Sequence, residues 1–189
     1  MYLRISNPGV APIESVTLLG ATTKGQDKQE IGQFGSGNKL SLALLMRDFL
    51  SPIFFYGKTK ITFETQNVCV TDGMVSVDHQ QIVSKIGNKR IPLGFSTDYG
   101  KIDWTDLAMA IREFVSNAID GAIRYNKFHN ILSQISYAWD GATVDVVEDS
   151  KCKAVEGTTQ VFIPMNREVK DFYDNLGKYF LHFSEPSLV

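Results

Sequence analysis

The chain contains little of several residue types that would mark common functional classes. Its 189 residues include two cysteines and three histidines, and its formal net charge is −2. Cys69 and Cys152 lack the spacing of a metal site or a disulfide framework, which predicts reduced, buried thiols in a cytosolic protein. The nearly balanced charge gives no basic footprint for nucleic acid, although local basic contacts stay open.

Apolar residues are also not concentrated in one long run. No stretch approaches the length of a membrane span, and the first residues lack the pattern of a signal peptide. We therefore expect a cytoplasmic protein without a membrane partner. The hydrophobic content is 43%, enough for a chain of this length to bury one core. One domain over residues 1–189 is predicted, either complete or as the N-terminal part of a longer protein.

The apolar pattern predicts strands and helices mixed along the chain. Because strands are grouped between helices, we expect an α+β fold, a two-layer sandwich in which helices cover one face of a mixed β-sheet. Asp72 and Gly73 predict a hairpin turn. The predicted strands are residues 2–6, 58–63, 68–71, 74–78, 81–86, 90–95, 142–147 and 158–164. The predicted helices are residues 12–19, 38–49, 105–125 and 166–183.

A glycine-rich run precedes the second predicted helix. Gly32, Gly35 and Gly37 fall within six positions, and residues without a Cβ let the chain bend sharply and bring its amides close to a ligand. The start of a helix adds unpaired N–H groups and the positive end of the helix dipole, and Lys39 adds a mobile positive charge. This pattern is typical of a phosphate site, and also of a turn that caps a core helix.

Three polar residues interrupt the apolar pattern of the longest predicted helix. Glu113, Asn117 and Asp120 are spaced i, i+4 and i+7, which puts them on one narrow stripe between apolar neighbours. A buried carboxylate is costly unless a metal, water or ligand pairs with it, so the stripe favours a functional site. The alternative is an exposed stripe beside a wide core face. Thr105 or Asp103 is expected to cap this helix.

Five segments together resemble a known family. Residues 112–121 (REFVSNAIDG) resemble the N-box helix of the GHKL ATPases, the superfamily of DNA gyrase B subunits, ninety-kilodalton heat-shock chaperones, sensor histidine kinases and MutL mismatch-repair proteins. Residues 31–39 resemble its second glycine box in the chaperone-like form, and residues 5–12 resemble its first. Residues 13–25 are similar to the helix and lid that follow the first box. Residues 156–164 resemble the third box, a Gly-Thr pair that opens a strand.

The order of these segments differs from that of the family. The N-box helix comes first in GHKL proteins, whereas here it follows both glycine boxes and several strands. A circular permutation is the simplest account, because new termini at exposed, neighbouring positions preserve the spatial arrangement while changing the connections. The resemblance thus implies a Bergerat-type, GHKL-like fold with permuted motif order.

The resemblance also implies a site for ATP and Mg²⁺. Glu113 would be the general base that takes a proton from the attacking water. Asn117 would hold Mg²⁺ through its side-chain oxygen, and Asp120 would lie near the base or support the site. Thr158 would support the adenine end. Contacts to the phosphates are implied for Gly32, Gln33, Phe34, Gly35, Ser36, Gly37, Asn38 and Lys39.

The first glycine box departs from the family pattern. The family has an aspartate that accepts a hydrogen bond from the adenine amino group, and Asn7 stands there instead, two positions before Gly9. An amide oxygen can accept the same bond without the help of a charge, so a weaker bond is expected. Ala11 replaces the second glycine of the box. Asp149 is an alternative contact for the base, or else a turn residue.

The resemblance implies slow, Mg-dependent ATP hydrolysis. A lid at residues 22–30, with Lys24 contacting ATP, would close and drive a conformational or dimerisation switch. The expected partners are ATP and either a second copy of the chain or a C-terminal effector domain. The alternative is a nucleotide-sensing or protein-interaction module that does not hydrolyse ATP, favoured by Asn7 and Ala11. A histidine-kinase function is less favoured because of the placement of Glu113.

Overall fold

The computed structural model describes residues 1–17, 37–131, 139 and 141–180. Seven strands form one sheet: β1 (Tyr2–Pro8), β2 (Ile53–Tyr56), β3 (Thr59–Thr71), β4 (Ser76–Ile86), β5 (Lys89–Ser96), β6 (Thr143–Val147) and β7 (Thr158–Pro164). The α-helices are α1 (Glu14–Thr17), α2 (Gly37–Arg47), α3 (Leu107–Phe128), α4 (Arg167–Asp174) and α5 (Leu176–Tyr179). The predicted lid at residues 22–30 lies outside the described residues.

The sheet is antiparallel throughout, so the expected mixed sheet is wrong. The strand order is β5-β4-β3-β2-β7-β1-β6, and every neighbouring pair runs antiparallel. A helical crossover such as the one between β1 and β2 usually joins parallel neighbours. Here β7 lies between these two strands and pairs with both. The two parallel strands therefore never pair with each other.

One large core lies between the sheet and the helices. Alternate residues of the central strands, such as Leu3, Ile5 and Phe54, face α2 and α3 and are almost fully buried. A smaller cluster of Phe55, Val147 and Phe162 covers part of the opposite face of the sheet. The chain is thus an α+β fold with one open sheet and several helices, which is compatible with a two-layer sandwich.

The long helix α3 forms as its periodicity predicts, although its first turn is capped by a different residue. The side chain of Asp106 accepts a hydrogen bond at 2.8 Å from the backbone N–H of Ala108. The expected caps, Thr105 and Asp103, precede this position. Near the C-terminus, the predicted helix 166–183 divides at Asn175 into α4 and α5.

The strands β3 and β4 are longer than predicted, and β2 was missed. The two predicted strands at residues 58–63 and 68–71 are parts of β3, which turns into β4 at the predicted hairpin. Cys69 is exposed on this hairpin, contrary to the expected buried thiol. Because β2 is a short, continuous apolar run after a helix, periodicity could not identify it as a strand. No helix among the described residues is long and apolar enough to span a membrane.

Replacement of Asp106 tests the observed cap of α3. Asp106→Ala leaves a backbone N–H of the first turn without its side-chain acceptor and should lower the free energy of unfolding by about 1 kcal/mol in urea titrations. Asp103→Ala is the matched control, because Asp103 is exposed and precedes the cap. Its unfolding free energy should stay within about 0.5 kcal/mol of the wild type. A larger loss in the control than in Asp106→Ala would contradict the assignment.

Candidate functional site

A cavity of about 370 Å³ lies between the sheet and α3. Its floor includes one row of side chains across three strands, in which Asn7 and Tyr56 both pair with Thr159. Its walls come from α3, the start of α2 and the loop that follows β1. The lining residues of α3 are Glu113, Phe114, Asn117, Ala118, Gly121, Arg124, Tyr125 and Phe128. The size is within the range of small-molecule sites.

Two residues of the stripe predicted on α3, Glu113 and Asn117, meet the start of α2 inside this cavity. The side-chain amide of Asn117 donates to Asn38 Oδ1 at 2.9 Å and to Glu113 Oε1 at 3.1 Å. All three residues line the cavity. The structure thus brings residues from the predicted N-box helix and from the end of the predicted second glycine box together at one end of the cavity.

Gly37 allows α2 to approach α3 this closely. A Cβ at Gly37 would lie 2.0 Å from Oε1 of Glu113, far inside van der Waals contact. The first turn of α2 carries no acidic residue. Because Gly37 is the first residue of α2, the carboxylate of Glu113 lies against the positive end of the α2 dipole. This arrangement stabilises negative charge.

The loop after β1 is fixed to β7 by several hydrogen bonds. The Thr159 hydroxyl donates to the carbonyl oxygen of Gly9 at 2.8 Å and accepts from the N–H of Ala11 at 2.8 Å. The N–H of Gly9 donates to the carbonyl oxygen of Gly157 at 2.8 Å. Gly9 has a φ of +88°, and a Cβ there would lie 3.2 Å from the ring of Tyr125. The predicted first and third boxes are therefore neighbours, and glycine is required at the contact.

The threonine that faces the cavity is not the predicted one. The Thr158 hydroxyl donates to the carbonyl oxygen of Val155 at 2.8 Å, and Thr158 does not line the cavity. Alternation along β7 explains the difference, because Thr159, Val161 and Ile163 face the helices while Thr158 faces the other side. The same alternation is visible in the sequence and could have identified Thr159.

Lys39 is buried and is not among the residues that line the cavity, and its expected contact with the phosphates stays a prediction. Its side chain is 1% exposed, and its ammonium donates to the carbonyl oxygen of Ser15 at 3.1 Å. Burial lowers the pKa of this ammonium. The hydroxyl of Ser15 lies 3.2 Å from that of Tyr56, whose pKa burial raises to about 12. Lys39 and Tyr56 thus hold α1 at the edge of the cavity.

Three acidic or amide residues predicted near the base lie in different places. Asn7 lines the cavity, and its side-chain amide donates to the carbonyl oxygen of Pro8 at 2.7 Å. A Cβ at Gly121 would lie 2.7 Å from this amide nitrogen. Asp120 is fully buried on α3 and does not line the cavity. Asp149 is exposed, does not line the cavity and forms an ion pair with the α-amino group of Met1, and its alternative role at the base stays a prediction.

Six predicted ATP contacts lie outside the described residues, and their roles stay predictions. They are Lys24, Gly32, Gln33, Phe34, Gly35 and Ser36. Within the described part of the chain, no group of three or more His, Cys, Asp or Glu side chains forms a metal cluster. Asn117, Asn38 and Glu113 are among the lining residues that carry side-chain oxygens, and Mg²⁺ prefers oxygen donors.

Searches for related proteins give no family assignment. The chain matches no protein-family model, no curated protein and no solved structure.

Replacement of Gly37 tests the contact between α2 and α3. Gly37→Ala should displace the Glu113 side chain and lower the free energy of unfolding by about 1 kcal/mol, the cost of a strained rotamer or a lost hydrogen bond. In a Glu113→Ala background the obstructing atoms are absent, so the same change should be neutral or stabilising, because alanine favours helices. Urea denaturation of all four proteins measures this sign reversal.

Gly94→Ala provides the control for the Gly37 cycle. A Cβ at Gly94 would meet no atom within 4 Å, so its effect should not depend on Glu113. Equal effects of Gly37→Ala in both backgrounds would contradict the close approach.

The buried phenol of Tyr56 predicts a loss of stability at alkaline pH. Its pKa is raised from 10.0 to about 12, so the folded protein keeps the proton after the unfolded chain has released it. The protonated Tyr56 phenol thereby contributes at most about 3 kcal/mol to the free energy of unfolding. This contribution is fully present below pH 10 and is lost as the pH rises through about 12. Tyr56→Phe should therefore flatten the fall in unfolding free energy between pH 10 and 12. Parallel curves for the two proteins would show that Tyr56 does not titrate this way.

Proposed function

We propose that this chain is a Mg-dependent, ATP-binding module that hydrolyses ATP slowly, built as a GHKL-type domain with permuted motif order. The observation that carries the proposal is the contact of Glu113 and Asn117 with Gly37 and Asn38 at one end of the cavity. A carboxylate, an amide and a helix N-terminus are the groups that phosphoryl transfer to water needs: a base, a metal ligand and an anion site.

The spatial proximity of the four predicted boxes supports this proposal. Gly9 of the first box, Gly37 of the second, Asn117 of the N-box helix and Thr159 of the third all line one cavity. These positions are scattered over the chain, and a permuted GHKL domain would bring them together. The predicted lid, dimer and effector domain are further parts of the proposal.

The residues at the α2–α3 contact fit a bound Mg²⁺. Mg²⁺ keeps several waters and is usually held by one or two protein oxygens together with substrate phosphates, so a dense acidic cluster is not required. Asn117 would hold the ion through its side-chain oxygen. The ion would neutralise charge on the phosphate oxygens.

Glu113 is the residue that would act on water. Its carboxylate accepts a hydrogen bond from Asn117 at 3.1 Å, which fixes its orientation within the cavity. In the proposed reaction this carboxylate accepts a proton from the water that attacks the γ-phosphate. The start of α2 would stabilise negative charge on the phosphates through its dipole.

A second candidate function is nucleotide binding without turnover. Asn7 supplies a neutral amide where the family has a carboxylate, and this amide already donates to Pro8. A weaker contact to the base is the feature that would suit a sensor or an interaction module. The cavity would then bind the nucleotide, and closure alone would transmit the signal.

Replacement of Glu113 separates the two candidates. Glu113→Gln should keep Mg-ATP affinity within about threefold and lower phosphate release at least 100-fold, since loss of a general base typically costs about 10²–10⁴ in rate. Affinity is measured by titration calorimetry and turnover by release of inorganic phosphate. Arg112→Gln is the matched control, because Arg112 is an exposed neighbour on the same helix.

The outcomes of this comparison are distinct. A wild type that binds Mg-ATP but releases phosphate no faster than Glu113→Gln would favour the sensor. A wild type that binds no nucleotide would end both candidates.

A further inference from the structure

The end of the cavity opposite the α2–α3 contact carries exposed aromatic side chains. Phe128, the last residue of α3, lines the cavity and yet is 82% exposed. The ring of Tyr125 lies 4.3 Å from that of His129, and the ring of His129 lies 5.1 Å from that of Phe128. These three residues, which we call the aromatic rim, form a continuous group of rings at the end of α3.

We propose that Tyr125 and Phe128 of the aromatic rim stack against the base of the bound nucleotide and so act as positioning and specificity residues. This inference rests on the proposed function, because it assumes a nucleotide in the cavity. It assigns the base to the C-terminal part of α3 and the phosphates to the part near Glu113.

The spacing along α3 supports this division. Glu113 and Tyr125 are twelve residues apart, which corresponds to about 18 Å along a helix. An extended nucleoside triphosphate has a comparable length. Asn117, Gly121 and Phe128 fall at i, i+4 and i+11, which keeps them on the same face of the helix. The cavity face of α3 is thus long enough for the phosphates to lie near Glu113 while the base lies near Tyr125 and Phe128.

The surroundings of Tyr125 are suited to a flat, apolar group with a polar edge. The Tyr125 ring packs against Gly9, and Val10 on the same loop is 55% exposed at the cavity. Asn7 lies in the floor nearby, beside Gly121. A purine presents apolar faces and a polar edge, so rings and Val10 would contact its faces while the Asn7 amide would meet its edge.

The neutral amide of Asn7 makes stacking more important here. A carboxylate at this position would form a charge-assisted hydrogen bond, which is stronger than a neutral one. Asn7 lacks that charge, and one of its donors is already used by Pro8. Stacking on aromatic side chains contributes affinity without charge, and a surface ring at the mouth of a cavity is available for it.

The test compares Mg-ATP with Mg-tripolyphosphate, which has the phosphates and lacks the base. Calorimetric titration of Phe128→Ala and Tyr125→Leu should show about tenfold weaker binding of Mg-ATP, in line with the usual contribution of base stacking. Binding of Mg-tripolyphosphate should be unchanged. Phe128→Trp should restore Mg-ATP affinity, and quenching of its fluorescence by ATP but not by tripolyphosphate would report ring contact.

Phe49→Ala is the matched control. Phe49 is 94% exposed and does not line the cavity, so its removal should leave both affinities unchanged. Since both phenylalanines are exposed, neither replacement should unfold the protein, and thermal melting checks this directly.

Each outcome bears on one claim. If the wild type binds Mg-ATP and Phe128→Ala and Tyr125→Leu bind it equally well, the stacking inference is overturned while the proposed function stands. If both variants lose tripolyphosphate as well as ATP, the rim acts on the whole cavity and the inference is also overturned. If the wild type binds neither ligand, the proposed function itself fails.

Discussion

The contact between the start of α2 and the polar stripe of α3 is the constraint on which the cavity depends. Asn38 and Asn117 are hydrogen-bonded at 2.9 Å, and Gly37 leaves room for the Glu113 carboxylate. A negative group therefore already lies at the positive end of the α2 dipole. A triphosphate entering this end would meet that negative charge, so a divalent cation between them is an electrostatic requirement of the proposed function.

The position of β7 between β1 and β2 determines the other half of the cavity. Thr159 of β7 binds the loop after β1 through both Gly9 and Ala11, and it pairs with Tyr56 of β2 on its other side. The antiparallel sheet that results differs from the expected mixed one. It nevertheless places the residues of the predicted first and third boxes side by side.

The sequence predicted the elements with strong periodicity, and it could not predict contacts that depend on tertiary packing. Helical spacing predicts a stripe of Glu113, Asn117 and Asp120, of which Glu113 and Asn117 line the cavity and Asp120 does not. The burial of Lys39 and its bond to Ser15 could not be predicted, because they depend on how closely α1 approaches α2. The Gly-Thr motif predicts Thr158 as the cavity residue, whereas alternation along β7 places Thr159 there.

Two polar residues of the cavity, Glu113 on its wall and Asn7 in its floor, would contact different parts of the proposed nucleotide and so contribute differently to its affinity. Glu113 lies at the α2–α3 contact, where the proposed phosphates and metal would bind. Asn7 carries no charge and lies beside Gly121, in the cavity that Tyr125 and the exposed Phe128 also line. A charged partner would bind a base more tightly than a neutral one, so a neutral amide keeps base affinity modest. Release of the nucleotide would then depend mainly on aromatic contacts, which form and break without a change in the charge of the site.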